Sequence, residues 1–216
     1  MMLANVVTFM QICVLLTRVS GHSGEFYFPR HRLQSSKNIV LAIFHPSMFG
    51  FNVTQQTFPY DNRPVAPLRN FTFDKWWFHG HLRFPPHPED IFNLPAGQPA
   101  TAEIACDKGA TSFFNSSQGG NIIDPKNPDY PCPGAPTVAF HTHGLNDTEG
   151  CALGIAYESE VDKVEPEDFV IFSVNQTCVW TRFTDFQVPE RMPPCPEGGC
   201  ICAFFWVHAV CISPFL

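Results

Sequence analysis

The sequence has little charge, and no cluster of positive charge. Of its 216 residues, 15% are charged, with 13 Lys and Arg against 20 Asp and Glu, for a formal net charge of −7. No run of Lys or Arg occurs, which argues against nucleic acid or an anionic membrane as partner. No CxxC pair is present, and Cys200-Ile201-Cys202 is CxC, so the common spacing of a structural zinc site is missing. GxSxG and phosphate-binding glycine loops are absent as well, which removes those hydrolase and nucleotide-binding classes. A long uninterrupted apolar run is also wanting. Residues 3–17 are apolar but broken by Asn5, Thr8, Gln11 and Thr17, too short and interrupted for a membrane span.

What is there points to turns and short strands. Hydrophobic residues make up 44%, with 21 prolines and 14 glycines, a composition that disfavours long helices. Strands are predicted over 39–43, 101–105, 137–142, 152–157, 169–175, 178–183 and 202–208, and one helical turn over 89–93. Short strands between turn signals predict a mostly β fold, an antiparallel immunoglobulin/fibronectin-like β-sandwich with long loops and disulfides. The length suits one domain with tails.

The compartment follows from cysteines and sequons. Eight of the nine cysteines lie at or after Cys106, and Cys13 sits in the apolar start. Sequons begin at Asn52, Asn70, Asn115, Asn146 and Asn175. Together they predict a secreted, extracellular, disulfide-bonded glycoprotein. Residues 1–21 read as a signal peptide ending in Val19-Ser20-Gly21, although no basic residue precedes Arg18. Residues 22–39 read as a segment outside the domain.

Two HxH motifs carry possible metal chemistry, His79-Gly80-His81 and Phe140-His141-Thr142-His143-Gly144. On a strand, His141 and His143 would share a face. A cupin-like site is disfavoured because Glu149 lies too far from His141. Trp76, Trp77 and Phe78 flank the first motif and suit either packing or stacking on sugars. Nothing in the sequence sets carboxylates such as Asp107 and Asp185 across a cleft for glycoside hydrolysis.

Five segments together carry a resemblance: residues 44–64, FDKWWFHGHL, AEIACDKGATS, FHTHG, and residues 175–208 with their four cysteines and four prolines. From about Leu41 to His208 the chain resembles the fungal lytic polysaccharide monooxygenases of auxiliary activity family 14. The resemblance implies a monooxygenase-like β-sandwich over 40–210, C-terminally incomplete, followed by a foreign-looking tail over 211–216. It implies the bridges Cys106–Cys132, Cys151–Cys178 and Cys195–Cys200, with Cys202 needing a partner. It implies copper in a histidine brace, with His141 as a ligand and His143 as the fallback. It also implies a monomer, an external electron donor, and xylan lying on cellulose as the substrate.

Three planar nitrogens suit Cu(II), and a mature N-terminal histidine supplies two of them. Val40 stands where the resemblance puts that histidine, and the sequence to Leu216 does not contain the strand carrying the axial tyrosine. Val210-Cys211 can be encoded GTATGC and Ile39-Val40 can contain ATAG, both like intron boundaries, so retained introns are one expectation for the two ends. The other reading is a non-catalytic glycan-binding or copper-binding protein of the same fold.

Overall fold

Short apolar and β-branched runs become strands here because each buries a face against another run. The computed structural model describes residues 12–20, 23–24, 42–51, 72–117, 119–134 and 144–207. Eight strands are seen in this part: β1 (Ile12–Ser20), β2 (Ser23–Gly24), β3 (Ala42–Ile43), β4 (Pro99–Ala105), β5 (Cys151–Ala156), β6 (Val170–Asn175), β7 (Phe183–Gln187) and β8 (Cys200–Val207). They form a five-stranded sheet in the order β2-β1-β8-β5-β6 and a three-stranded sheet in the order β3-β4-β7. Every ladder is antiparallel. The architecture is the mostly β sandwich that the composition predicts.

β8 is the spine of the larger sheet. Cys200–Phe204 and Trp206 are buried, so the strand reads as a continuous apolar run rather than an alternation. Phe205 faces Gly154 of β5, where an added Cβ would lie 2.9 Å from the Phe205 ring. On its other edge β8 pairs with β1, from Ile12 opposite Val207 to Val19 opposite Cys200. Residues 12–20 of the segment read as a leader therefore form a strand in this structure.

The smaller sheet shows cleaner alternation. On β4, Ala100, Ala102 and Ile104 face inward. Glu103 points the other way and is still buried, with Oε1 accepting from Ser112 N at 2.7 Å. Arg182 Nε lies 3.3 Å from the same oxygen, a close charge contact rather than an aligned hydrogen bond. Buried Lys108 is compensated by Phe51, donating to its carbonyl at 2.9 Å and standing 3.4 Å from its ring centre.

β6 closes the larger sheet at one edge and leaves Val170, Ile171 and Val174 exposed. Its pairing with β5 shifts register between Leu153 and Gly154. The extra residue bends the strand locally.

Two sequence expectations fail. Residues 178–182 are turn and bend rather than strand, and the strand starts only at Phe183. Cys178 is tied to Cys151, Val179 takes a left-handed φ of 69°, and Trp180 donates to Thr148, so the chain is held in a corner before β7. Residues 89–93 are not helical. A turn closes at His87–Asp90, and the extended chain after it lays Phe92 and Leu94 into the core. A helical turn occurs instead at α1 (Phe73–Trp76), which continues as a 3-10 turn to Gly80. The strand read over 137–142 lies outside the described residues.

Candidate functional site

The Phe140–Gly144 motif lies at the centre of the sequence reading, and His141 and His143 lie outside the described residues. Their approaches are described. Upstream, Cys132 is bridged to Cys106, and Cys106 N donates to Pro131 O at 2.9 Å. Downstream, Gly144 O accepts from Thr148 Oγ1, and that hydroxyl accepts from Trp180 Nε1. Gly150 follows with a left-handed φ of 88°, its Cα packed so closely on the Asn175 carbonyl that an added Cβ would lie 2.7 Å from it. Cys151 then enters β5 and is bridged to Cys178. The described chain on each side of the motif is thus anchored by a disulfide.

Two other histidines are placed by the fold. His45 sits edge-on to Phe92 and Phe113, at 5.2 and 5.9 Å between ring centres, with Nδ1 against Ser47 Oγ. Burial lowers its pKa to about 4. His81 is buried edge-on to Phe84, and burial lowers its pKa to about 4 as well. Both are neutral at physiological pH. Among the described residues, no three His, Cys, Asp or Glu side chains come together in a way that could hold a metal.

Cys195 is bridged to Cys200, with their Cα atoms 5.4 Å apart. Cys202, expected to need a partner, is a free buried thiol whose pKa burial pushes well above the ordinary value. Of the sequon asparagines, Asn115 and Asn146 are exposed and Asn175 is half-buried. Asn175 Oδ1 accepts from Thr177 N, and its Nδ2 donates to Asp185 O at 3.0 Å. Asn52 and Asn70 lie outside the described residues. No helix among the described residues is long and apolar enough to cross a membrane.

The aromatic segment resolves differently from its sequence reading. Trp77 and Phe78, candidates for stacking on sugars, are buried in the core. Among the described side chains of the segment, the exposed ring is Phe73, at 51% exposure, which stacks on Trp77 with centres 5.0 Å apart. The i, i+4 spacing of the pair could have suggested the contact, but not which ring faces outward.

The model of the family "Lytic polysaccharide monooxygenase AA14" matches residues 31–213. The chain is 68% identical over 169 residues to an AA14 family lytic polysaccharide monooxygenase B of Pycnoporus cinnabarinus, covering 78% of this chain and 44% of that protein. It is 66% identical over 169 residues to the corresponding B protein of Trametes coccinea, covering 78% and 40%. It is 55% identical over 168 residues to an A protein of that organism, covering 78% and 39%. The chain therefore spans less than half the length of these curated relatives. Across that shared length, the chain belongs to the AA14 family of lytic polysaccharide monooxygenases.

Proposed function

We propose that this chain is a secreted, copper-dependent lytic polysaccharide monooxygenase acting on xylan associated with cellulose, fed by an external electron donor. The observation that carries the reading is the 68% identity, over 78% of the chain, to a relative named an AA14 family lytic polysaccharide monooxygenase B. His141 is the copper ligand, with His143 as fallback. Bound copper would supply the oxygen chemistry that protein side chains lack. Both histidines lie outside the described residues, so no oxidative step is derived. The chain acts as a monomer with neither nucleic acid nor membrane as partner, and carries glycans at its sequons.

The second reading is a secreted glycan-binding or copper-binding protein without catalysis. It is favoured by Val40, which stands where the family has its brace histidine. A mature chain beginning at His22 would also lack β1 and its whole ladder with β8.

The test is mass spectrometry of the secreted protein's N-terminus, with copper titration and assay for oxidised oligosaccharides. A free histidine directly ahead of Leu41, tetragonal Cu(II) spectra and oxidised products support the monooxygenase. A mature protein retaining Val40, with no oxidised product from xylan-coated cellulose, replaces it with the binding protein.

A further inference from the structure

We infer that the cleft between the Phe73–Trp77 stack and the acidic segment 161–167 is a subsite for an uncharged stretch of polysaccharide chain. The inference rests on the polysaccharide reading above and adds a place and a selectivity to it. The cleft has a volume of about 510 Å³, within the range of small-molecule sites.

One wall is an aromatic platform. Phe73 opens α1, and Trp77 lies one turn later, so their rings meet at an interplanar angle of 27°. Trp77 is buried and held edge-on by Phe78 and Phe169. Phe73 is thus backed by a ring that is itself locked in the core. Its exposed surface can take the C–H face of a pyranose without further ordering.

The opposite wall carries carboxylates. Asp162 and Glu167 line the cleft on two short 3-10 turns, and Glu165, which precedes the second turn, lines it between them. Lys163, on the same segment, bonds Glu160 and is not part of the lining. Glu165 and the neighbouring Asp168 cap the second turn reciprocally, Asp168 Oδ2 accepting from Glu165 N at 2.8 Å, which leaves the second oxygen of Glu165 for a ligand. Ionised carboxylates only accept hydrogen bonds, and sugar hydroxyls donate them. The same three charges repel anions, so a glucuronic-acid-substituted stretch is disfavoured against an unsubstituted one.

The experiment uses the full secreted chain, wild type, Phe73→Ala and Glu167→Gln. Pull-down on xylan-coated cellulose is paired with titration of xylohexaose and of a glucuronic-acid-substituted xylooligosaccharide. Both side chains are exposed, and equal melting temperatures of the three proteins establish folding. Expected is wild-type binding to xylohexaose, weakened roughly tenfold by Phe73→Ala. Glu167→Gln should narrow the gap between the neutral and acidic oligosaccharides. Retention on the fibres by all three proteins alike, with unchanged xylohexaose affinity, overturns the subsite and leaves the polysaccharide reading standing. No retention of wild type on any fibre overturns both. Binding of a chitosan oligomer without binding of xylohexaose overturns the assignment to a neutral sugar.

Discussion

Phe186 of β7 and Phe204 of β8 meet edge to face between the two sheets, 6.3 Å between ring centres at 87°, both fully buried. This contact joins the three-stranded sheet to the spine of the five-stranded one. Truncating either ring leaves a cavity that flanking strands cannot collapse into. Phe204→Ala is expected to cost about 3–5 kcal/mol in guanidinium unfolding. A loss under 1 kcal/mol would mean that the sheets are held together elsewhere.

Stability should fall in mild acid. His45 and His81 are held neutral, with pKa values lowered by burial to about 4 from 6.5. The unfolded chain takes up these protons first as pH falls. The contribution is complete above the unfolded value and is lost as pH drops from about 6.5 to 4, at most ~3 kcal/mol for each. Glu103 works in the opposite sense. Burial, partly offset by Ser112 and Arg182, raises its pKa, so its term weakens as pH rises through the carboxylate range. Melting temperature against pH should slope steeply below 6.5, and His45→Gln should flatten that slope. An unchanged slope would assign the acid sensitivity to other groups.

The Cys151–Cys178 bridge closes a loop with a sequence separation of 27 and ends the turn that leaves the Phe140–Gly144 motif. Replacing both cysteines with Ala should cost roughly 2–5 kcal/mol under non-reducing conditions. Equal stability of wild type and variant would show that Trp180 and Thr148 suffice to hold the corner.

Cys202 should be silent in the native state. Burial keeps its thiol protonated and out of reach of reagents. Peptide mapping after iodoacetamide should find Cys202 unmodified natively and fully modified in guanidinium. Rapid native alkylation would mean that β8 opens readily.

The sequence is legible where one run of residues decides the outcome. The strands expected over 101–105, 152–157, 169–175 and 202–208 overlap β4, β5, β6 and β8, because apolar and β-branched runs bury themselves in only a few ways. It is illegible where distant partners decide. Residues 178–183 have strand-like composition, yet Cys151 and Thr148 hold 178–182 in a corner and only Phe183 joins a strand. The helical turn at 73–76 was hidden in an aromatic stretch with no apolar period to mark it. The cleft beside Phe73 needs residues about ninety positions apart to face each other, which no local pattern announces. His141 is proposed from its match to the family motif alone and lies outside the described residues, so no packing argument sets it apart from His45 or His81.

β6 has a consequence for making the protein. An outer strand bearing Val170, Ile171 and Val174 in the open is a template on which another chain can add. Its register shift blunts that edge on one side, and a sugar tree on Asn175, at the strand's end, would shield it on the other. Material from a host that does not glycosylate should therefore aggregate faster than the glycoprotein at equal concentration. Val174→Lys should restore solubility without altering the melting temperature.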